Sequence, residues 1–202
     1  MQVALAAAAE PAVLAALIAG ASAEARANAG AGANAGAGAR ADASASAGSF
    51  ASVRRVPAEN FHLTLAFLGS VPLSRLADVE QTAARFVQAS SVRDLPIDIV
   101  LDSIDHWRKS QVLVATASDT PPAAVALAEG LQRALVDAGF SPDLKPFRVH
   151  ATIARKVRRV GRDLHLEPVR WSFDSLHLVE SETRPDGSAY RTVKKWVLDK
   201  RD

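Results

Sequence analysis

The sequence predicts an α+β fold built from two related halves, and three observations carry that prediction. Apolar and polar residues alternate in several short runs, apolar residues recur at helical spacing in two longer ones, and the pattern His-x-Thr occurs twice, each time inside a strand-like run. Each His-x-Thr run follows its own strand-plus-helix unit, which is the mark of an internal duplication. Two similar lobes facing each other would bring both runs to one cleft.

The bulk composition is compatible with this. The 202 residues suffice for one domain of two small lobes with a buried core. The hydrophobic fraction of 49% is inflated by alanine, so the true core formers are fewer. Because 24 Lys+Arg face 22 Asp+Glu, any basic surface has to be local. There is no cysteine, which excludes disulfides, thiolate nucleophiles and thiolate metal sites. Residues 3–19 are apolar, yet no Lys or Arg precedes them and Glu10-Pro11 interrupts them, so they do not read as an export signal. No apolar run reaches the roughly 18 residues that cross a bilayer. The expectation is a soluble, cytoplasmic protein.

Taken in order, residues 2–6 read as a short strand and 10–18 as a helix with Pro11 in its first turn, stopped by Gly20. From 21 to 47 alanine fills every odd position. The tract at 21–48 has no large apolar side chain to offset the entropy of ordering and is expected to be a disordered insertion. Ordered structure is expected to resume at 52–56 and to turn through Pro57-Ala58-Glu59-Asn60 into the first His-x-Thr run, which Gly69 and Pro72 end. Ser74 is the expected cap of a helix reaching about Ala89, with Leu76, Val79, Ala83, Phe86 and Val87 on one stripe. Strands follow at 96–102 and 111–116. Thr120 should cap and Pro121 start the clearest helix, whose Ala124, Leu127, Ala128, Leu131, Leu135 and Ala138 share a face before Gly139 ends it. After the second His-x-Thr run, strands at 170–180 and 190–198 flank Arg184-Pro185-Asp186-Gly187, a hairpin turn signal.

The two motif runs are Phe61-His62-Leu63-Thr64-Leu65-Ala66-Phe67-Leu68-Gly69 and Phe147-Arg148-Val149-His150-Ala151-Thr152-Ile153-Ala154-Arg155. On a regular strand His62 and Thr64 share one face while Leu63, Leu65 and Phe67 share the other. One His-x-Thr is a weak signal that reads most simply as a half-buried strand histidine; two, each in a Phe-initiated apolar run, point to function. In-line cleavage of a phosphodiester needs a base on one side of phosphorus and an acid on the other. Two imidazoles with unperturbed pKa values near 6.5 supply both near neutral pH, and the adjacent hydroxyls can donate to non-bridging oxygens. This chemistry requires no metal, and no His-x-x-x-His or similar ligand spacing occurs.

With flanking Asn60 and Lys156, these two runs resemble the signature motifs of the 2H phosphoesterase superfamily. They are most similar to the bacterial and archaeal RNA 2′,3′-cyclic phosphodiesterases, historically named 2′-5′ RNA ligases. The tail from Glu180 to Tyr190 resembles the family's closing hairpin. The resemblance covers roughly 52–198, with a degenerate start at 2–18, and implies a single bilobal LigT-like domain over 1–202 whose motifs line a central groove. It further implies metal-independent, cofactor-free hydrolysis of 2′,3′-cyclic phosphates to 2′-phosphates, on RNA ends or small cyclic nucleotides, by a monomer. Carried over by position, His62 would be the proton donor and His150 the proton acceptor, with Thr64 and Thr152 holding the phosphate. Arg155 matches the family's basic residue after the second motif, but on a regular strand Lys156, not Arg155, has the parity of His150. Either the strand bulges or ends before Arg155, or Lys156 faces the groove. Lys156, Arg158, Arg159 and Arg162 read equally as a track for an RNA backbone and as a solvated loop. A binding module without catalysis and 2′-5′ ligation in the same groove are the alternative functions. His177 is expected in the core beside Trp171 and Phe173, and His106-Trp107 is a candidate nucleobase contact. Two features depart from the family pattern: the insertion, and a first strand carrying Val3 and Ala4 where an aromatic is usual.

Overall fold

A computed structural model describes residues 1–8, 53–90, 95–160, 164–184 and 187–198. The expected helix at 10–18 and the alanine-alternating tract lie outside the described residues.

Ten strands and two α-helices are described. The strands are β1 (Gln2–Ala8), β2 (Arg54–Arg55), β3 (His62–Ser70), β4 (Ile97–Leu101), β5 (Ser103–Trp107), β6 (Val112–Thr116), β7 (His150–Arg155), β8 (Val169–Phe173), β9 (Ser175–Arg184) and β10 (Gly187–Val197). The helices are α1 (Leu76–Ala89) and α2 (Pro122–Asp137). Strands β10-β9-β1-β3-β7-β6-β5 follow one another in a single antiparallel sheet that β2 joins at β7, and β4 and β8 pair separately. The α+β class is therefore as expected, but the two halves share one continuous sheet. Their seam is the β3–β7 junction, where a single pair, Leu63 with Ala151, is in register.

The buried side chains explain this arrangement. Leu63, Leu65 and Leu68 of β3 and Ala151 and Ile153 of β7 lie in one core with Val79 and Ala83 of α1 and Leu127, Leu131 and Leu135 of α2. The helix that precedes β7 in sequence, α2, packs on β3, the opposite motif strand, and so ties the halves together. The helices approach closely at Gly130, where a Cβ would come within 2.9 Å of the Phe86 ring. Among the described residues no helix is long and apolar enough to cross a membrane.

Three local expectations are corrected. Ser74 and Thr120 do not cap: a 3₁₀ turn over Leu73–Arg75 leads into α1, Pro121 occupies the N-cap position of α2, and neither helix has a side-chain cap bond. Residues around His106-Trp107 form a strand that the sequence reading did not include, β5, paired along its length with β6. The strand expected at 170–180 is two strands broken at Asp174, whose carbonyl accepts from Leu198 N–H at 2.7 Å. The break inverts parity, so that Trp171 and Phe173 are buried before it and Leu176 and Leu178 after it. His177 therefore leaves the face of Trp171 and Phe173; it is half-buried, with Nε2 3.2 Å from Ser175 Oγ.

Candidate active site

The same irregularity in β3 and β7 creates the site. Pairing of β1 with β3 slips between Leu5–Ala66 and Ala6–Thr64, leaving Leu65 as an extra residue. Pairing of β6 with β7 slips between Leu113–Ala154 and Val114–Thr152, leaving Ile153 extra. Each bulge thus falls at the third residue after its histidine, and each reverses the alternation beyond it. The burial pattern records this, with consecutive buried residues at Leu65-Ala66 and at Ile153-Ala154. The carbonyl of Leu65 accepts a hydrogen bond from Gln132 Nε2 of α2 at 3.1 Å.

The consequence is that Phe67 and Arg155, at matching positions, turn to the face of the histidines. Phe67 was expected on the apolar face; it is 43% exposed and lines the cavity. Arg155 lines the cavity as well. Lys156 lies outside the cavity lining, exposed, with φ 59 just past the end of β7. The bulge thus decides the geometric question left by the sequence in favour of Arg155.

An open cavity of about 680 Å³ is lined by His62, Thr64, His150, Thr152 and Arg155 together. The one pair in register between these strands, Leu63 with Ala151, lies between His62 and Thr64 on β3 and between His150 and Thr152 on β7, so both motifs are centred on the same point of the seam. Each imidazole is fixed in the same way. His62 Nδ1–H donates to the Asn60 carbonyl at 2.8 Å, and His150 Nδ1–H donates to the Arg148 carbonyl at 2.8 Å. With Nδ1 engaged, Nε2 is the nitrogen left to take or give a proton. Each ring also has an aromatic neighbour: Tyr190 lies 4.8 Å from His62, tilted 52°, and Trp107 lies 4.7 Å from His150, tilted 49°. The Tyr190 hydroxyl accepts from Arg155 Nη2 at 2.8 Å, so one side chain from the closing hairpin touches both a motif histidine and the neighbouring guanidinium.

Burial pushes the pKa of His62 below its usual value, against the bond to Asn60, and the charges of Arg155 and His150 push it the same way. Burial lowers His150 too, with the Arg148 carbonyl opposing and the Arg148 guanidinium adding to it. Unperturbed imidazoles were the sequence expectation; both are instead held toward the neutral form.

Tyr190, the chain's only tyrosine, ends the tail that resembles the closing hairpin but carries no site role in the sequence reading; it lines the groove from β10. Trp107 does line the cavity, whereas its neighbour His106 donates from Nε2 to the Val157 carbonyl at 2.7 Å. Val3 and Ala4 of β1 stand on the lining as well. Among the described residues no three of His, Cys, Asp and Glu converge as metal ligands.

Known proteins resemble this chain in sequence over most of its length and share its fold. The model of the 2′-5′ RNA ligase superfamily matches residues 39–185. The chain belongs to that superfamily. It is 28% identical over 149 residues to an RNA 2′,3′-cyclic phosphodiesterase of Escherichia coli K12, covering 72% of this chain and 80% of the relative. It is 29% identical over 161 residues to one of Thermus thermophilus, covering 74% and 77%. A Thermus thermophilus crystal structure superposes with TM-score 0.70 at 25% identity, over 98% of both chains. E. coli LigT crystallised with 3′-AMP superposes with TM-score 0.69 at 20% identity, over 98% of this chain and 97% of the other. The fold of the superfamily member is thus the LigT fold, as the two motif runs implied.

Proposed function

We propose that this superfamily member hydrolyses 2′,3′-cyclic phosphates of RNA or nucleotides to 2′-phosphomonoesters without a metal. The observation that carries the reading is the pair of imidazoles, each locked through Nδ1 by the carbonyl two residues before it and both lining one cavity. His150 Nε2 takes the proton of the attacking water as oxygen bonds to phosphorus. The P–O3′ bond breaks, and His62 Nε2–H delivers its proton to O3′. Solvent then returns the pair to its starting protonation. Thr64 and Thr152 donate to the non-bridging oxygens, and Arg155 anchors the phosphate with Tyr190 orienting its guanidinium. The assignment of donor and acceptor follows the resemblance, since the two histidines are held alike. Relatives named RNA 2′,3′-cyclic phosphodiesterases support the reaction class. Incubation with 2′,3′-cyclic AMP in excess chelator should yield 2′-AMP; an unchanged substrate would falsify the reading.

The pH dependence follows from the lowered histidine values. The acceptor must be neutral and the donor protonated, so kcat/KM should trace a bell centred below about pH 6.5, the ordinary histidine value. An anionic phosphate in the cavity favours the cationic imidazole, so the kcat profile should lie at higher pH than that of kcat/KM. A kcat/KM optimum well above neutrality would contradict both lowered values.

Tyr190→Phe removes the hydroxyl from Arg155 but keeps the ring beside His62. A hydrogen bond to a charged group contributes about 1.5–3 kcal/mol, so KM should rise by about 10- to 100-fold, with kcat within about twofold. In an Arg155→Ala background the same change should cost nothing more. Independent losses would remove Tyr190 from the phosphate anchor.

A further inference from the structure

We propose that the end of the sheet beside the groove is a track for the phosphate backbone of single-stranded RNA, formed by Arg108, Lys109, Lys156, Arg158 and Arg159. The proposal rests on the reading of the groove as a cyclic phosphodiesterase site and adds that a polymer carrying the reactive end is preferred to a mononucleotide.

Two segments far apart in sequence build the track. Trp107, Val112 and Arg155 lie abreast on β5, β6 and β7, and Trp107 and Arg155 line the cavity. The cations begin at the next residue of each segment, Arg108 after Trp107 and Lys156 after Arg155. The chain turns sharply there, with Gln111 at φ 54 and Lys156 at φ 59. Val157 then clamps the segments together: its N–H donates to the Gln111 carbonyl at 2.9 Å, and its carbonyl accepts from His106 Nε2 at 2.7 Å. His106, left unused by the catalytic reading, thereby acquires a part in fixing this surface.

The charge is concentrated and uncompensated. All five side chains are exposed, and none forms an ion pair among the described residues. Six other surface cations are paired, Arg75 with Asp78, Lys145 with Asp143, Arg148 with Asp105, Arg170 with Asp98, Arg191 with Glu180 and Lys194 with Glu80, whereas the further exposed cations without an ion pair, such as Arg85, Arg133 and Lys195, belong to other segments of the chain. In a chain of formal net charge +2, five unpaired cations adjoining one groove form a local positive field rather than a general one. A reactive 3′ end seated between His62 and His150 leaves the upstream phosphates to continue past Trp107 or Arg155 onto this surface.

Kinetics on two substrates test it. The variant Arg108→Gln/Lys109→Gln/Arg158→Gln/Arg159→Gln changes only exposed side chains outside the cavity. On a short single-stranded oligoribonucleotide ending in a 2′,3′-cyclic phosphate, its kcat/KM should fall on the order of tenfold at low salt. Its log–log salt slope should flatten by about two to three, at about 0.7 for each phosphate no longer neutralised. On 2′,3′-cyclic AMP it should stay within about twofold of the parent protein. Equal losses on both substrates, or none on the oligonucleotide, overturn the track. Fluorescence anisotropy with the same oligonucleotide ending in a 2′-phosphate reads the track without turnover, and separates its failure from failure of the proposed reaction. The weakening should appear there too; equal affinity of variant and parent overturns the proposal even if hydrolysis is confirmed.

Discussion

Replacing His62 or His150 by alanine is expected to lower kcat on 2′,3′-cyclic AMP by about 10²–10⁴-fold, the usual contribution of a positioned acid or base. The double variant should be little worse than the poorer single one, because one proton transfer without the other leaves the in-line step incomplete. Substrate choice separates the roles. A nitrophenyl phosphodiester has a leaving group that departs without a proton, so on it His62→Ala should recover most of its lost rate while His150→Ala should not. Recovery by His150→Ala alone would exchange donor and acceptor. Near-parental turnover by either variant on the cyclic nucleotide would sink the paired mechanism. Folding is a separate readout. Both imidazoles have folded-state values below the unfolded value of about 6.5, so the stability linked to their neutral form is present above that pH and is lost as pH falls toward the folded-state values. Each alanine variant should therefore be less sensitive to mild acid than the parent while being less active, a combination that general destabilisation cannot produce.

Much of this site was legible because it depends on local pattern. The alternation around His62 and His150 marks strands, and it is the repetition of His-x-Thr that lifts each above a chance half-buried histidine. The stripe of α2 was equally plain, since Leu127, Leu131 and Leu135 recur at helical spacing and all three are buried. What escaped depends on partners distant in sequence. A bulge at Leu65 or Ile153 is a property of pairing with β1 or β6, and nothing in the motif strand alone requires it. A parity rule applied without it sends Phe67 to the core and leaves Arg155 competing with Lys156. The break at Asp174 left a trace that was readable, because the apolar positions change from odd to even between Phe173 and Leu176. Ser74 and Thr120 show the opposite failure: good capping residues are passed over when a 3₁₀ turn or a proline already sets the entry to the helix. Tyr190 reaches the groove from a strand at the far end of the order β10-β9-β1-β3-β7, and no spacing rule connects it to Arg155.

Thr64→Val and Thr152→Val should each lower kcat by about 10²–10³-fold, the loss found when one preorganised donor to a developing oxyanion is removed. Valine keeps the branched shape and the strand preference of threonine, so the hydroxyl is the principal group lost. The register gives the expectation its form. Both hydroxyl-bearing residues line the cavity with the two histidines, and the two threonines occupy equivalent places about the Leu63–Ala151 pair. If both donate to the phosphate, the two losses should be similar, fall mainly on kcat, and be largely restored by serine, which returns the hydroxyl without the methyl. If one only packs, its valine variant should be nearly fully active, and the paired arrangement would then hold for the histidines but not for the hydroxyls. Measuring kcat and KM for both valine and both serine variants on 2′,3′-cyclic AMP distinguishes these outcomes. A matched loss at Thr64 and Thr152 is the result that would tie the duplication in the sequence to a duplicated contact with one phosphate.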